Sequence, residues 1–562
     1  MIKISDILLK RPCKIKLFDE SMTPITLKIG VTGHRQFADE EQISRSIDRV
    51  LNELESLIKS KLGNFPFTLA VVSSLAEGAD RLVVSKVLNW GSTKSNSGNP
   101  WLESAIPFNK NDYKNDFCSE TSKVEFEELI KASLYVTIID EFYKKSSDPN
   151  DEIKRNNAYK NAGIFVADNC DVLISIWDGN PSRGTGGTAE IVEYAKSTNK
   201  LLYIINSING NTSYYLPPGF KQPGDYIYLK LRDFITYNNE NINNTIFKKS
   251  VEDLNKKIRD HAQKVGFDDS EIVSDLRKIL YSYTRADILA IKYHRLFDWS
   301  GLAIYWLTAI AILILSIYAV ICPLNHSLLF YEVGILLFAL IIWYFSIKKN
   351  WQQKWIDYRY LAERLRTAIF YKLLNLPPMV YISPPYFDIS INSNDWMTTN
   401  YSWAMKNTRT REYPFVKELR DFIDSAWIED QINFYNQSKQ KLIKRYHKME
   451  CWGMSFLVVA LLVGLIHAFE LVQIIDNYLT VAAVFLPGII SAIAGIKALK
   501  DYDRISARYS AMHEYLIQVK KRLHIEDDLE YYKEIIKRAS KNMLHEHLGW
   551  RIVIEFLRPD PS

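Results

Sequence analysis

Four long stretches without charged side chains constrain this chain more than any other feature. A helix needs about 20 apolar residues to cross about 30 Å of hydrocarbon. Buried helices of a large soluble core are the alternative, but such helices seldom run so far without charge. We therefore predict four membrane-spanning helices, in two hairpins, over residues 299–325, 327–347 (interrupted only by Glu332), 451–469 and 477–496.

The connections between these stretches differ in charge. Residues 322–332 and 470–478 contain no Lys or Arg, whereas residues 348–354, 439–448 and 497–504 each contain three or more of these basic residues. Basic connections stay in the cytoplasm, so we predict that both termini and the 348–450 connection are cytoplasmic. The N-terminus has no continuous apolar run, and we expect no cleaved signal peptide. The five cysteines form no CxxC pair, which fits a reducing compartment.

A short motif precedes each predicted hairpin. YHRLFDW begins at Tyr293 and YHKMECW begins at Tyr446, and an Arg-Tyr pair follows each hairpin, at residues 359–360 and 508–509. We interpret this as a duplication, and repeated hairpins suit an assembly around an axis. The segments after the hairpins, residues 351–374 and 501–523, are predicted to be long cytoplasmic helices that transmit a signal or only pack.

Upstream, residues 26–205 alternate apolar runs with helical segments. The runs TLKIGVTG, FTLAVVSS, WLESAIPF, VLISIWDG and LLYIIN are apolar on both faces. Such runs are typical of parallel strands covered by helices on both sides. We predict a Rossmann-like, doubly wound α/β domain in the cytoplasm, whose ligand site lies at the carboxyl ends of the strands.

Three glycine-containing loops fall at those strand ends. GVTGHR and SSLAEGADR permit close backbone approach, and PSRGTGGTAE exposes amides to an anion at a helix N-terminus that Thr188 is expected to cap. Each loop alone could be an ordinary turn, but three on one edge favour a nucleotide site. The candidate ligand-binding residues are Gly33, His34, Arg35, Ser74, Glu77, Gly78, Asp80, Arg81, Trp177, Asp178, Arg183, Gly184, Gly186, Gly187, Thr188 and Glu190.

Several of these residues have structural alternatives. Glu190 and Asp178 could grip ribose hydroxyls, or could only cap a helix and close a loop. Trp177 could stack on an adenine or belong to the core. Asp80 and Arg81 could be a surface pair without partners.

The combination of GVTGHR, SSLAEGADRL and WDGNPSRGTGGTAEIVEYA resembles the SLOG superfamily of Rossmann-like nucleotide-binding domains, which are related to the LOG phosphoribohydrolases. The hairpins with their aromatic and basic cytoplasmic helices resemble SLATT membrane domains. The pairing implies a bacterial antiphage effector of the inner membrane. Its SLOG part would bind a signalling nucleotide or short oligonucleotide made by a partner enzyme, and its membrane part would depolarise or perforate the envelope.

The resemblance divides the chain into four parts. They are a SLOG-like domain (residues 1–245), linker helices with a first SLATT-like hairpin (246–376), a cytoplasmic connector (377–430), and a second SLATT-like hairpin with a cytoplasmic tail (431–562).

A LOG-like hydrolase of nucleotide N-glycosidic bonds is the alternative activity. The LOG motif P-G-G-x-G-T-x-x-E, set on Gly187 and Thr188, puts Ile191 where the family has its catalytic glutamate. Glu190 lies one residue earlier, and one helical step turns a side chain by about 100°. We therefore expect ligand binding without turnover and assign no catalytic residue, although Glu190, Glu77 or Asp80 could still reach a ribose. A non-conducting nucleotide-sensing scaffold is a third possibility.

Four spans cannot readily enclose an aqueous path, so we expect a homo-oligomer, plausibly a tetramer, in contact with membrane lipids. The fourth span has small residues four apart, which allow close helix contact. We expect them to serve packing rather than to line a pore. We expect no metal or other cofactor besides the activating nucleotide. The candidate pore or packing residues are Gly488, Ser491, Ala492, Gly495 and Lys497.

Overall fold

The computed structural model describes residues 22–37, 39–63, 65–90, 99–141, 143, 151–181, 186–267, 271–379, 395–408, 413, 415–469, 473–525 and 528–556, with side chains as far as residue 546. Two candidate ligand residues, Arg183 and Gly184, lie outside the described residues.

The first half of the chain folds around one mixed sheet. Its strand order is β4-β3-β2-β1-β5-β6-β7, with every pair parallel except β6–β7. The five predicted apolar runs all become strands, and β4 and β7 were not predicted. The strands are β1 (Ile25–Gly33), β2 (Phe67–Ser73), β3 (Trp101–Ile106), β4 (Ser133–Ile138), β5 (Val172–Trp177), β6 (Leu201–Asn206) and β7 (Thr212–Tyr215).

Helices cover both faces of this sheet, which is why β1 and β2 are almost completely buried. The chain runs outward from β1 to β4 and then returns to place β5 on the other side of β1. This return creates a crevice at the carboxyl ends of β1 and β5. The helices of this part are α1 (Glu40–Leu62), α2 (Ala79–Trp90), α3 (Lys110–Lys114), α4 (Glu120–Ala132), α5 (Asp151–Asp168), α6 (Thr188–Ser197) and α7 (Pro223–Asn239).

The second half of the chain is helical. Four of its described helices are long and apolar enough to cross a membrane, which indicates a membrane protein. Their apolar segments lie in α10, α11, α15 and α16, whose exposed surface is rich in large hydrophobic side chains. The helices are α8 (Asn244–Val265), α9 (Ile272–Asp275), α10 (Arg277–Val320), α11 (Ser327–Lys348), α12 (Trp351–Leu373), α13 (Trp396–Asn407), α14 (Lys417–Ile423), α15 (Asp430–Ala468), α16 (Asp476–Lys500), α17 (Tyr502–Leu523) and α18 (Leu529–Phe556).

Two breaks in this helical half use the same backbone conformation. Asn350 separates α11 from α12 with φ 51°, and Asp501 separates α16 from α17 with φ 44°. Asn and Asp tolerate the left-handed region better than most side chains do. After each break the chain packs on a long helix from earlier in the chain, α12 on α10 and α17 on α15.

The first and fourth apolar helices pack closely against each other. A Cβ atom on Gly495 would lie 2.2 Å from the ring of Tyr305, and one on Gly488 would lie 3.2 Å from Ile312. Ala492 is buried, whereas Ser491 is exposed. Gly488, Ala492 and Gly495 therefore lie on the face of α16 that contacts α10, as close helix packing requires.

The α/β part is joined to the helical part at the amino edge of the sheet. The buried Arg285 of α10 donates from Nη2 to the carbonyl oxygens of Tyr237, Asn238 and Glu240, at 3.0, 2.9 and 3.1 Å. These carbonyls end α7, and helix ends need such partners. On α13, Lys406 donates to the carbonyls of Asn99 and Pro100 just before β3. Burial lowers the pKa of Lys406 to about 8.

Candidate functional site

The loops after β1 and β2 interlock through their backbones. Gly78 has φ +80°, and a Cβ there would lie 2.3 Å from the carbonyl oxygen of Arg35. The amide of Ala79 donates to the carbonyl of His34 at 3.0 Å, and a Cβ on Gly33 would lie 2.5 Å from that of Ala79. These glycines therefore fix the position of His34 and Arg35 rather than leave room for a ligand.

The loop after β2 holds a residue in a rarely used conformation. Leu75 is fully buried with φ 59°. Its amide donates to the Ser73 hydroxyl at 2.9 Å, and its carbonyl accepts from Arg81 Nε at 3.1 Å. A bulky residue in the left-handed region costs about 1–3 kcal/mol, and such strain clusters at functional sites.

Asp80 and Arg81 are buried and have partners, so the alternative of an exposed surface pair is wrong. Asp80 Oδ2 accepts from the Ser73 hydroxyl at 3.1 Å and from the Ala76 amide at 3.3 Å. Burial raises the pKa of Asp80 to about 6, against these hydrogen bonds and the positive charge of Arg35.

Arg81 and Glu77 fasten this loop to α4. Arg81 Nη1 donates to the Ser122 hydroxyl at 2.8 Å and to the Glu125 carboxylate at 2.8 Å. Glu77 accepts from the Cys118 amide at 3.1 Å and from Ser122. Both predicted ligand contacts are thus occupied by protein groups, and we assign these two side chains a positioning role.

At the crevice between β1 and β5, the two strand ends are joined by side chains. His34 Nε2 lies 3.3 Å from Asp178 Oδ1. The Asp178 carboxylate also accepts from the backbone and side-chain nitrogens of Asn180, at 3.0 and 2.9 Å. These hydrogen bonds, followed by the contact with His34, lower the pKa of Asp178 to about 2. Trp177 donates from Nε1 to the Asn180 carbonyl at 2.8 Å. Trp177 and Asp178 therefore both close the loop after β5.

The glycine-rich loop leads into α6 without a side-chain cap. Gly187 is the N-cap, and no side chain among the described residues caps this end. The prediction that Thr188 caps the helix is therefore wrong, because Thr188 is already its first residue. An uncapped N-terminus leaves backbone amides for an anion.

Glu190 closes the glycine-rich loop. It accepts from the Gly186 amide at 2.8 Å and pairs with Lys160 of α5. The lysine first, and then the amide, lower the pKa of Glu190. Gly186 has φ +82°, and a Cβ on it would lie 2.9 Å from the Lys160 amide. The structure therefore supports loop closure as the role of Glu190.

Helix α5 also reaches Arg35 and brings further residues to the edge. Arg35, which is exposed, contacts the hydroxyl of Tyr159, which in turn donates to the Asp116 carboxylate. Asp116 also pairs with Arg155. The neighbouring protein groups remove part of the water around Arg35, which acts to lower its pKa, but Tyr113, Tyr159 and Asp116 raise the pKa overall.

The edge therefore carries positive charges that are only partly offset. Asp116 lies near both Arg35 and Arg155, and Glu190 pairs with Lys160, so two carboxylates face three cations. The hydroxyl of Tyr113 is buried there and has no hydrogen-bond partner among the described residues. Such an arrangement can bind an anion by exchange, with phosphate oxygens replacing carboxylates on the same donors.

The site predicted from the three glycine-containing loops did not include five residues that the structure brings to this edge: Tyr113, Asp116, Arg155, Tyr159 and Lys160. The first two follow β3, whose carboxyl end was predicted to lie on the same edge, so the segment after WLESAIPF could have been examined for them. The other three lie on α5, which no sequence pattern indicated.

No family model matches this chain, and no curated protein matches it. The resemblance to SLOG and SLATT domains thus stays a prediction from the motifs. Among the described residues, no group of three or more His, Cys, Asp or Glu side chains could hold a metal ion.

Proposed function

We propose that this chain is a membrane effector in which a nucleotide messenger, bound at the carboxyl edge of the sheet, opens an oligomeric pore. The observation that carries the proposal is the continuity of α10. One 44-residue helix binds the end of the α/β part through Arg285 and runs on through the first apolar stretch. A ligand that repositions the α/β part would thereby act on the membrane segment.

The ligand is a phosphate-bearing nucleotide or short oligonucleotide. The uncapped N-terminus of α6 supplies backbone donors, and His34, which contacts Asp178 at the crevice, supplies a ring N–H. Arg35 lies exposed one residue beyond. Phosphate would compete with Asp116 for Arg35 and Arg155, and the release of Asp116 would loosen α5 from the segment after α3.

The pore would be formed by two repeated hairpins in each of several chains, in the bacterial inner membrane with both termini cytoplasmic. The paired Tyr-His motifs support the repeat, as do the left-handed breaks at Asn350 and Asp501. The first and second hairpins also share the Asp298–Lys500 ion pair at 2.6 Å. Contacts of Gly488 and Gly495 within one chain favour packing over pore lining for α16.

The carboxylate contacts favour binding over hydrolysis. A LOG-like reaction needs a carboxylate presented to the ribose, and Glu190 is held by Lys160 and Gly186. Glu77 is held by α4, and Asp80 is buried beneath the loop after β2. Hydrolysis of nucleoside monophosphates remains the alternative activity, and a non-conducting scaffold the alternative architecture.

The test is dye release from liposomes that contain the full-length protein. Nucleotide extracts of infected cells should release dye, and buffer alone should not. Arg35→Ala should weaken the response about tenfold or more, because a hydrogen bond from a charged group contributes about 1.5–3 kcal/mol. Arg232→Ala, which removes an exposed arginine of α7, is the matched control.

The three candidate functions give different results. Release without ligand, or an undiminished response of Arg35→Ala, would contradict the proposed site. Ligand retention without dye release would indicate a scaffold. Conversion of nucleoside monophosphates to free base would indicate the hydrolase.

A further inference from the structure

A cavity lies among the helices of the second half of the chain, away from the candidate site at the carboxyl edge of the sheet. Its volume is about 100 Å³, and its walls come from α8, α10, α12 and the segment that runs from the end of α14 into the start of α15. About 10–15 Å³ admits one ordered water, so the cavity has room for one small organic molecule. A nucleotide is too large for it, since pockets for drug-sized ligands occupy about 300–1,000 Å³.

Four polar atoms in the walls of this cavity are buried and unpaired within the described part of the chain. They are His261 Nδ1, Arg366 Nε, Trp427 Nε1 and Gln431 Oε1. Trp427 and Gln431 are only 1% and 2% exposed. An unsatisfied buried group costs about 1–3 kcal/mol, so the two donors in the wall, Trp427 Nε1 and Arg366 Nε, indicate a molecule that supplies acceptors.

The chain is irregular at this cavity. Residues 424–429 form a π-helical turn between α14 and α15, and such turns occur frequently at functional sites. The Trp427 ring is fixed by stacking on Phe370, with centroids 4.7 Å apart and planes at 4°. The indole is therefore held in one orientation before any ligand arrives.

The unpaired atoms define the ligand chemistry. Indole and guanidinium N–H groups only donate, so the ligand must carry acceptor oxygens. Burial, followed by the charge of Lys257, lowers the pKa of His261, and the neutral ring adds a donor or an acceptor. Lys257 itself is 2.8 Å from the Asp430 carboxylate. The remaining walls are apolar and suit a short hydrocarbon or a single aromatic ring; they include Leu254, Ile258, Ile369 and Phe422.

We propose that this cavity binds a small carboxylate with a compact apolar body, held by Trp427 and Arg366. A lipid headgroup is not a suitable occupant. The cavity residue Asp430 precedes Cys451, where the third apolar stretch begins, by about 30 Å of helix at 1.5 Å per residue. The site is independent of the nucleotide site, and its failure would leave the proposed pore function untouched.

The experiment titrates full-length protein in detergent with benzoate and propionate, and follows binding by calorimetry. We expect binding of at least one carboxylate at millimolar concentration. The neutral amides, benzamide and propionamide, should bind about tenfold more weakly, since a charged acceptor strengthens hydrogen bonds. Inorganic phosphate, which lacks the apolar body, should not compete.

Two variants locate the binding. Trp427→Phe keeps an aromatic ring beside Phe370 but removes the N–H donor, and should weaken carboxylate binding about fivefold. Leu254→Phe should abolish binding by filling the cavity, and keeps the test usable if Trp427→Phe does not fold. Trp452→Phe, at an exposed position of α15, is the control. The absence of binding to the parent protein, or equal binding by parent and Leu254→Phe, would refute the proposal.

Discussion

At the scale of single residues, the candidate site depends on backbone contacts as much as on charged side chains. Gly78 allows the loop after β2 to lie against the backbone of Arg35, and Asp80 fastens the same loop from below through Ser73 and Ala76. Substitutions of Gly78 or Asp80 should therefore change the stability of the fold even when no ligand is bound.

Gly78→Ala should destabilise the protein by about 2 kcal/mol or more. The new side chain would need φ +80° and would meet the carbonyl of Arg35 at 2.3 Å. Gly266→Ala is the control, since Gly266 has φ +70° but nothing within 4 Å of its Cβ position, and should lose only about 1 kcal/mol. Thermal melting in detergent measures both variants. Equal losses would show that the loop can move away.

Asp80→Asn should remove a dependence of stability on pH. The folded-state pKa of about 6 exceeds the usual 3.8, so the folded state binds the proton more tightly than the unfolded state does. Stability therefore decreases as the pH rises from about 4 to 6, by roughly 3 kcal/mol in total. The melting temperature of Asp80→Asn should rise relative to the parent across this range. Asp253→Asn, at an exposed position of α8, should follow the parent.

At the scale of helices and strands, the apolar pattern predicted the elements with strong periodicity. The predicted helical segment after TLKIGVTG is α1, and the five runs that are apolar on both faces are strands. β4 was missed because α4 ends at Ala132 and the strand begins at Ser133, with no Gly or Pro between them. β7 was missed because it is a short edge strand of polar, mostly exposed residues.

The same pattern explains what was missed at the site. The buried face of α5 consists of Ala158, Ala162, Val166 and Ala167. Alanine is only weakly hydrophobic, so the buried face of this segment differs little from its polar face. Its hydrophobic periodicity therefore does not predict a helix. Without α5, neither Tyr159 nor Lys160 could be assigned to the edge, because each reaches it only through the packing of that helix. The proximity of His34 and Asp178, by contrast, is predictable from the sequence, because each follows a strand that ends at the same edge of the sheet.

Arg285→Met should separate the α/β part from α10. The guanidinium is 1% exposed and satisfies three carbonyls at the end of α7. Removing it leaves these acceptors buried without a donor, a loss of about 3–5 kcal/mol. Limited proteolysis should then cut between α7 and α8, where the parent resists. Arg295→Met, on the exposed side of the same helix, should resist as the parent does.

At the scale of the whole molecule, the native cysteines can report how the chain crosses the membrane. Cys322 follows α10 at the predicted outer loop, whereas the exposed Cys118 and Cys451 lie on the predicted cytoplasmic side. A membrane-impermeant maleimide added to spheroplasts should label Cys322, and Cys322→Ser should abolish labelling. Cys118 and Cys451 should react only after permeabilisation. Labelling of Cys118 in intact spheroplasts would reverse the predicted orientation.

The uninterrupted course of α10 also determines what kind of motion can pass along it. At 1.5 Å per residue, its 44 residues measure about 66 Å. The helix has no break along this length, so a small change in its angle near α7 must move its other end sideways. A tilt of about 5° displaces the far end of the helix by about 6 Å. Such leverage would turn an ångström-scale rearrangement near α7 into a sideways shift of the apolar end of the helix.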